Sequence, residues 1–165
     1  MKPITETILG TLHIDTEALL DFFVMFSRFE YSLKRANCLN PKKRHAAADW
    51  KAFGQTIERA FQPDASPMLA ESVHYLLTQP PQTLVQCERE LRWEDNARRA
   101  NECDIQYLLR LVSQVRNNLF HGGKYSVGPV DDVGRDTTLV NACIVVLEYC
   151  LTLNTNVRSF FYEVR

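Results

Sequence analysis

Apolar side chains recurring at steps of three and four constrain the fold of this chain more than any other feature. Leu19, Phe22, Phe23, Phe26, Phe29 and Leu33 repeat in this way within residues 15–37. That spacing lines one face of an α-helix, and Asp15 or Thr16 is placed to cap its start. Asn40-Pro41 breaks the helix, and Trp50, Phe53, Ile57, Ala60 and Phe61 describe a second one of about three turns, with Gly54 the weak point in its middle. Ser66-Pro67 joins a capping residue to a proline at the first helical position. It leads Leu69, Val73, Leu76 and Leu77 along one face until Pro80-Pro81.

Ile105, Leu108, Leu109, Val112, Val115 and Leu119 predict a long amphipathic helix ended by Gly122-Gly123, whose tolerance of positive φ suits a C-cap. Residues 125–135 read as a loop, after which Asp136 or Thr137 can cap a last helix through about Asn156. That helix is apolar almost all round, so it is either the central helix or also a subunit contact. Residues 82–100 stay open: Thr83-Leu84-Val85 fits an extended segment and 88–99 fits a helix. The expected fold is all-α, one domain over residues 1–165, a bundle of four to five main helices with an antiparallel core.

Composition narrows the function classes. With 165 residues, 45% hydrophobic, and a net charge of −1, the chain matches one soluble globular core. The longest apolar run, Ala142 to Leu147, is far short of the ~20 residues of a bilayer span, so no membrane partner is expected. The segment Met1 to Glu6 lacks an apolar export signal, and the five cysteines form no C-x-x-C pair. Both point to reduced thiols and a cytoplasmic location. Near-zero charge argues against a broad basic nucleic-acid surface but leaves room for a small local one. Lys42-Lys43-Arg44 and the mixed charges of 89–99 read as solvated surface.

No phosphate-binding glycine loop, no G-x-S-x-G and no H-E-x-x-H occur, and His13, His45, His74 and His121 have no ligand spacing. Neither a metal nor another cofactor is therefore expected. The string that remains is Val115-Arg116-Asn117-Asn118-Leu119-Phe120-His121-Gly122-Gly123-Lys124. Arg116 is a permanent cation with a donor fork suited to phosphate, and His121 can move a proton near neutral pH. Together they suffice for metal-free transesterification of RNA if a second acid comes from another chain or from water. Cations in a last helical turn also offset the helix dipole, so Arg116, His121 and Lys124 equally fit capping residues, and spacing alone favours capping. Glu30 falls beside or inside the first apolar stripe, either as a boundary residue paired with Lys34 or as a buried functional acid.

At these residues the chain resembles the HEPN superfamily, small helical bundles whose signature is Arg, four to six residues, then His. Arg116 to His121 has the four-residue spacing with a polar residue after the Arg, and the longer string through Gly122-Gly123-Lys124 strengthens the likeness. Phe29 to Arg35 resembles the first-helix segment of small stand-alone HEPN proteins of plasmids and other mobile elements.

The resemblance implies a homodimer with two motifs meeting in a cleft across the two-fold axis. It also implies a metal-independent endoribonuclease of toxin–antitoxin or antiphage systems, with RNA as substrate and an antitoxin or other protein as a further partner. Carried over, Arg116 binds the phosphate, His121 is the acid/base residue, Asn117 orients the RNA or its partner residues, Glu30 pairs with Arg116, and Lys124 adds a phosphate contact. The family also contains non-catalytic modules that bind nucleotide, RNA or protein, which is the alternative implied function. The branch silenced by adenylylation carries Tyr two residues after the His, where Gly123 stands in this chain.

Overall fold

The computed structural model describes residues 14–120 and 134–163. Helix α1 (Thr16–Arg35) starts where the side chain of Asp15 accepts a 2.9 Å hydrogen bond from the Ala18 N–H, and it buries Phe22, Phe26, Phe29 and Leu33. Phe23, although in the same apolar series, faces outward and is 45% exposed. It lies one residue, about 100° of helical rotation, from Phe22, and the core takes a narrower stripe than the apolar series offers.

Helix α2 (Trp50–Ile57) is capped by Asp49, and helix α3 (Pro67–Thr78) by Ser66, whose hydroxyl accepts from the Leu69 N–H at 3.2 Å. The glycine in α2 has a packing reason. A Cβ at Gly54 would lie 3.1 Å from Gln106 Cγ and 3.4 Å from Leu109 Cδ1, so its absence lets α2 approach the long helix closely.

Residues 82–100 contain a hairpin rather than a helix. β1 (Thr83–Cys87) pairs antiparallel with β2 (Glu90–Glu94) in the register Thr83↔Glu94 to Cys87↔Glu90, with Glu88 at φ +56° in the turn. The extended option for 83–85 is the one realised, and the helical option for 88–99 is not. The fold is therefore mainly α with a two-stranded sheet, a departure from the all-α expectation. β1-β2 lies mostly at the surface, and its side chains are not among the core cluster.

Helix α4 (Asp104–Phe120) runs as the periodicity predicts, burying Ile105, Leu108, Leu109, Val112 and Val115. Helix α5 (Arg135–Thr152) is the centre of the bundle: it packs against α1, α3 and α4 and against the final helix α6 (Thr155–Tyr162). Asp136 and Thr137 lie inside its first turn and not at its cap position, which is Gly134 at φ +104°, and the Thr137 hydroxyl accepts from the Asp15 N–H at 2.9 Å.

The last helix is two helices. The chain turns by 113° after Thr152, and Asn154 caps α6 by accepting from the Val157 N–H at 3.0 Å. Arg28 of α1 then holds the end of α6, donating to the carbonyls of Phe161 (2.8 Å), Phe160 (3.1 Å) and Glu163. Carbonyls at a helix C-terminus lack intrahelical partners, and a guanidinium fork meets several at once. Six helices are thus present among the described residues, and one buried apolar cluster draws on all of them. No single described helix is long and apolar enough to cross a membrane.

Candidate functional site

Val112 and Val115 bury one face of α4, and Arg116 follows at the margin of that face, half-buried. Its guanidinium carbon lies 4.9 Å from the centre of the Phe120 ring and 5.8 Å from that of Phe26. Nη1 donates to Asn117 Oδ1 at 3.2 Å. Among the described residues no carboxylate forms an ion pair with Arg116; those bridges engage Lys34, Arg35, Arg92, Arg98 and Arg110. A cation propped on two ring faces, with no carboxylate bridge among the described residues, has a donor fork suited to an anion.

Asn117 is exposed, whereas Asn118 is 7% exposed and has a structural task. Its Nδ2 donates to the Gln82 carbonyl at 2.8 Å and its Oδ1 accepts from Gln114 Nε2 at 2.8 Å, which ties the end of α4 to the approach of β1. Two adjacent amides in one motif therefore divide into one open to solvent and one holding the fold.

An apolar surface adjoins Arg116. Phe120 stacks on Phe23 with ring centres 5.4 Å apart, and Leu20 (60% exposed) and Val24 (55% exposed) extend the surface along α1. Leu19, Leu20, Phe23, Leu119 and Phe120 line an open groove of about 460 Å³ there. Helix α5, the sequence's candidate for a subunit contact, spends its apolar faces inside the bundle, burying Leu139, Val140, Cys143, Val146, Leu147, Cys150 and Leu151.

Glu30 does not pair with Arg116. Its carboxylate meets Lys34 Nζ at 2.7 Å, one turn along α1, with both side chains about 30% exposed. The i,i+4 spacing makes this the nearest cation by helix geometry alone. His121, Gly122, Gly123, Lys124 and Tyr125 lie outside the described residues.

Protein-family models, curated proteins and solved structures provide no match to this chain. Among the described residues no group of three or more His, Cys, Asp or Glu side chains is placed to hold a metal ion. Cys143 and Cys150 are fully buried, and burial pushes both thiols far above the ordinary range, which suits packing and not thiolate chemistry.

A second polar assembly has no signature in local spacing. Arg110 makes a two-pronged bridge to Glu102, Nε to Oε1 and Nη2 to Oε2, both at 2.8 Å, and donates further to Asn96 Oδ1 and the Ala97 carbonyl. Tyr107 adds a 2.8 Å hydrogen bond to the Asn96 carbonyl. Hydrogen bonding from Arg110, opposed in part by burial, holds the Glu102 carboxyl below its usual range, and the same hydrogen bond raises the guanidinium. The sequence hint was slight: one Glu before α4 and one Arg inside it, eight residues apart.

Proposed function

We propose that this chain is a metal-independent endoribonuclease of HEPN type, acting as a homodimer with Arg116 and His121 as its catalytic pair. The observation that carries the proposal is Arg116, a half-buried cation on the Phe26 and Phe120 rings, free of carboxylate partners among the described residues. It precedes His121 by a spacing that resembles the family signature.

The chemistry follows from the groups. His121 removes the 2′-hydroxyl proton, the 2′-oxygen attacks phosphorus, and Arg116 stabilises the charge gathering on the phosphoryl oxygens. As the bond to the 5′-oxygen breaks, His121 of the partner subunit delivers a proton to that oxygen. The products are a 2′,3′-cyclic phosphate and a 5′-hydroxyl end. This use of RNA as substrate, a bundle of HEPN type, and a role in toxin–antitoxin or antiphage systems belong to one reading, supported by the motif and by the chemistry of Arg116.

The apolar surface beside Arg116 supports the two-chain site. A stable interface takes about 800 Å² from each partner, and Leu20, Phe23, Val24 and Phe120 present a contiguous apolar start to one. Leu20→Glu/Phe23→Glu is expected to convert a dimer to a monomer in sedimentation velocity at micromolar concentration and to remove cleavage with it. A wild-type monomer throughout that range rules out the shared site.

The direct test is induced expression of the wild type beside His121→Ala, with total RNA assayed for cyclic-phosphate ends. Growth arrest and new ends in the wild type, both lost in the variant, are expected, and EDTA is expected to leave cleavage by the purified protein unchanged. Cleavage of a DNA oligonucleotide, which has no 2′-hydroxyl, contradicts the mechanism. Equal behaviour of two folded, dimeric proteins transfers the site to a non-catalytic binding module.

A further inference from the structure

Trp50 and Lys51 open α2, Arg99 and Glu102 stand in the turn before α4, and Arg110 and Ser113 belong to α4 itself. Together they surround a cavity of about 240 Å³. Its charges do not balance: the one carboxylate, Glu102, bridges Arg110 and also feels the charge of Arg99, while Lys51 and Arg99 are exposed and make no ion pair among the described residues. Two cations at the mouth of a cavity with an indole in its wall match an anionic, flat-ringed ligand.

The wall is built and held. Arg98 Nε donates to the Glu102 carbonyl at 2.7 Å and bridges Asp104 at 2.7 Å, and the Arg99 N–H donates to Glu102 Oε2 at 3.1 Å. Asn101, at φ +61°, makes the reversal between them. Arg99 is therefore carried by backbone anchored on both sides, although its own side chain is in solvent.

Arg116 does not line the cavity but stands close to its wall. Ser113 lies one helical turn before Arg116 on α4, about 4.5 Å along the axis. On the α1 side the buried Phe26 ring links them: its centre is 5.1 Å from that of Trp50 and 5.8 Å from the Arg116 guanidinium carbon. Small-ligand clefts span roughly 300–1,000 Å³; at about 240 Å³ this space is too small for two nucleotides.

We infer that this cavity is a substrate subsite for a single-stranded RNA nucleotide flanking the one held at Arg116, its phosphate between Lys51 and Arg99 and its base against Trp50. The inference rests on the ribonuclease reading, but binding tests it separately from cleavage. Trp50 and Trp93 are the two tryptophans of the chain, so Trp93→Phe leaves Trp50 as the sole tryptophan, which can be excited selectively over tyrosine. In that background a short 2′-O-methyl oligoadenylate, which cannot attack its own phosphate, is expected to change the Trp50 emission on titration.

Lys51→Glu/Arg99→Glu is expected to weaken that binding about tenfold or more. The neutral pair Lys51→Gln/Arg99→Gln shifts it in the same direction and flattens the salt dependence by about 0.7 for each phosphate no longer neutralised. Circular dichroism melts confirm that each variant is folded. An unchanged emission, or an affinity indifferent to both pairs of substitutions, overturns the subsite. AMP binding as tightly as the oligomer also overturns it, in favour of a free-nucleotide site. Wild-type cleavage of unmodified RNA separates the two readings: cleavage without binding here removes the subsite alone, whereas binding without cleavage removes the nuclease reading and leaves an RNA-binding cavity in place of a substrate subsite.

Discussion

Arg116→Ala is expected to lower single-turnover RNA cleavage by roughly 10²–10³-fold, the usual loss when one donor to a developing oxyanion is removed. The substitution leaves the fold in place, because among the described residues the guanidinium meets two ring faces and the exposed Asn117. A cation–π contact at such a site contributes about 0.5–1 kcal/mol, so Tm falls by only a few degrees. Arg116→Lys keeps the charge but gives up the planar fork and the stacking, and an intermediate rate is expected. An alanine variant cleaving within a few-fold of the wild type, with the same cyclic-phosphate ends, removes Arg116 from the chemistry and leaves it a capping residue.

The largest expected loss of stability is at Arg110. Its side chain is 18% exposed and that of Glu102 11%, so Arg110→Met takes the bridging cation from a mostly buried carboxylate, which keeps the Arg99 N–H, and releases Asn96 and Ala97. Breaking a fully buried pair from one side costs about 3–5 kcal/mol, so this part-buried one is expected to cost less than that upper range, and in a chain of this size each kcal/mol lowers Tm by about 2–4 °C. Arg110→Met/Glu102→Gln is expected to recover part of the loss, since the uncompensated charge is gone.

Acid acts on the same pair. The folded state holds the Glu102 carboxyl below its ordinary value, near 4.5, chiefly through the Arg110 hydrogen bond. Its contribution is therefore complete above pH 4.5 and is lost as pH falls through the lower, folded value. Thermal melts should show a shallower decline below pH 4.5 in Glu102→Gln than in the wild type. Equal melting of Arg110→Met and wild type at pH 7 excludes the network as a structural anchor.

Local chemistry carried several elements through to the structure. The helix starts at Asp15 and Ser66 are legible because a capping side chain bonds a backbone N–H only three residues ahead. The long helix ending near Arg116 is legible because its apolar positions repeat over several turns. Glu30 pairs with Lys34, the option that i,i+4 geometry already contained.

The misses have physical causes as well. α5 and α6 share an apolar composition, so the 113° turn between them rests on one capping residue, Asn154, and on the Arg28 clamp from a distant helix. The β1–β2 hairpin competes with a helix of similar local propensity, and cross-strand pairing decides between them.

By itself, then, the sequence determined where the principal amphipathic helices lie and which cation stands at the end of the longest motif, because both are written within a few turns of chain. The tertiary structure alone decided which side of α1 stays exposed around Phe23, that α5 is enclosed, and that Trp50, Lys51 and Arg99 surround one cavity. Those outcomes depend on contacts between residues far apart in the chain, and no local period encodes the partner that each helix face will meet.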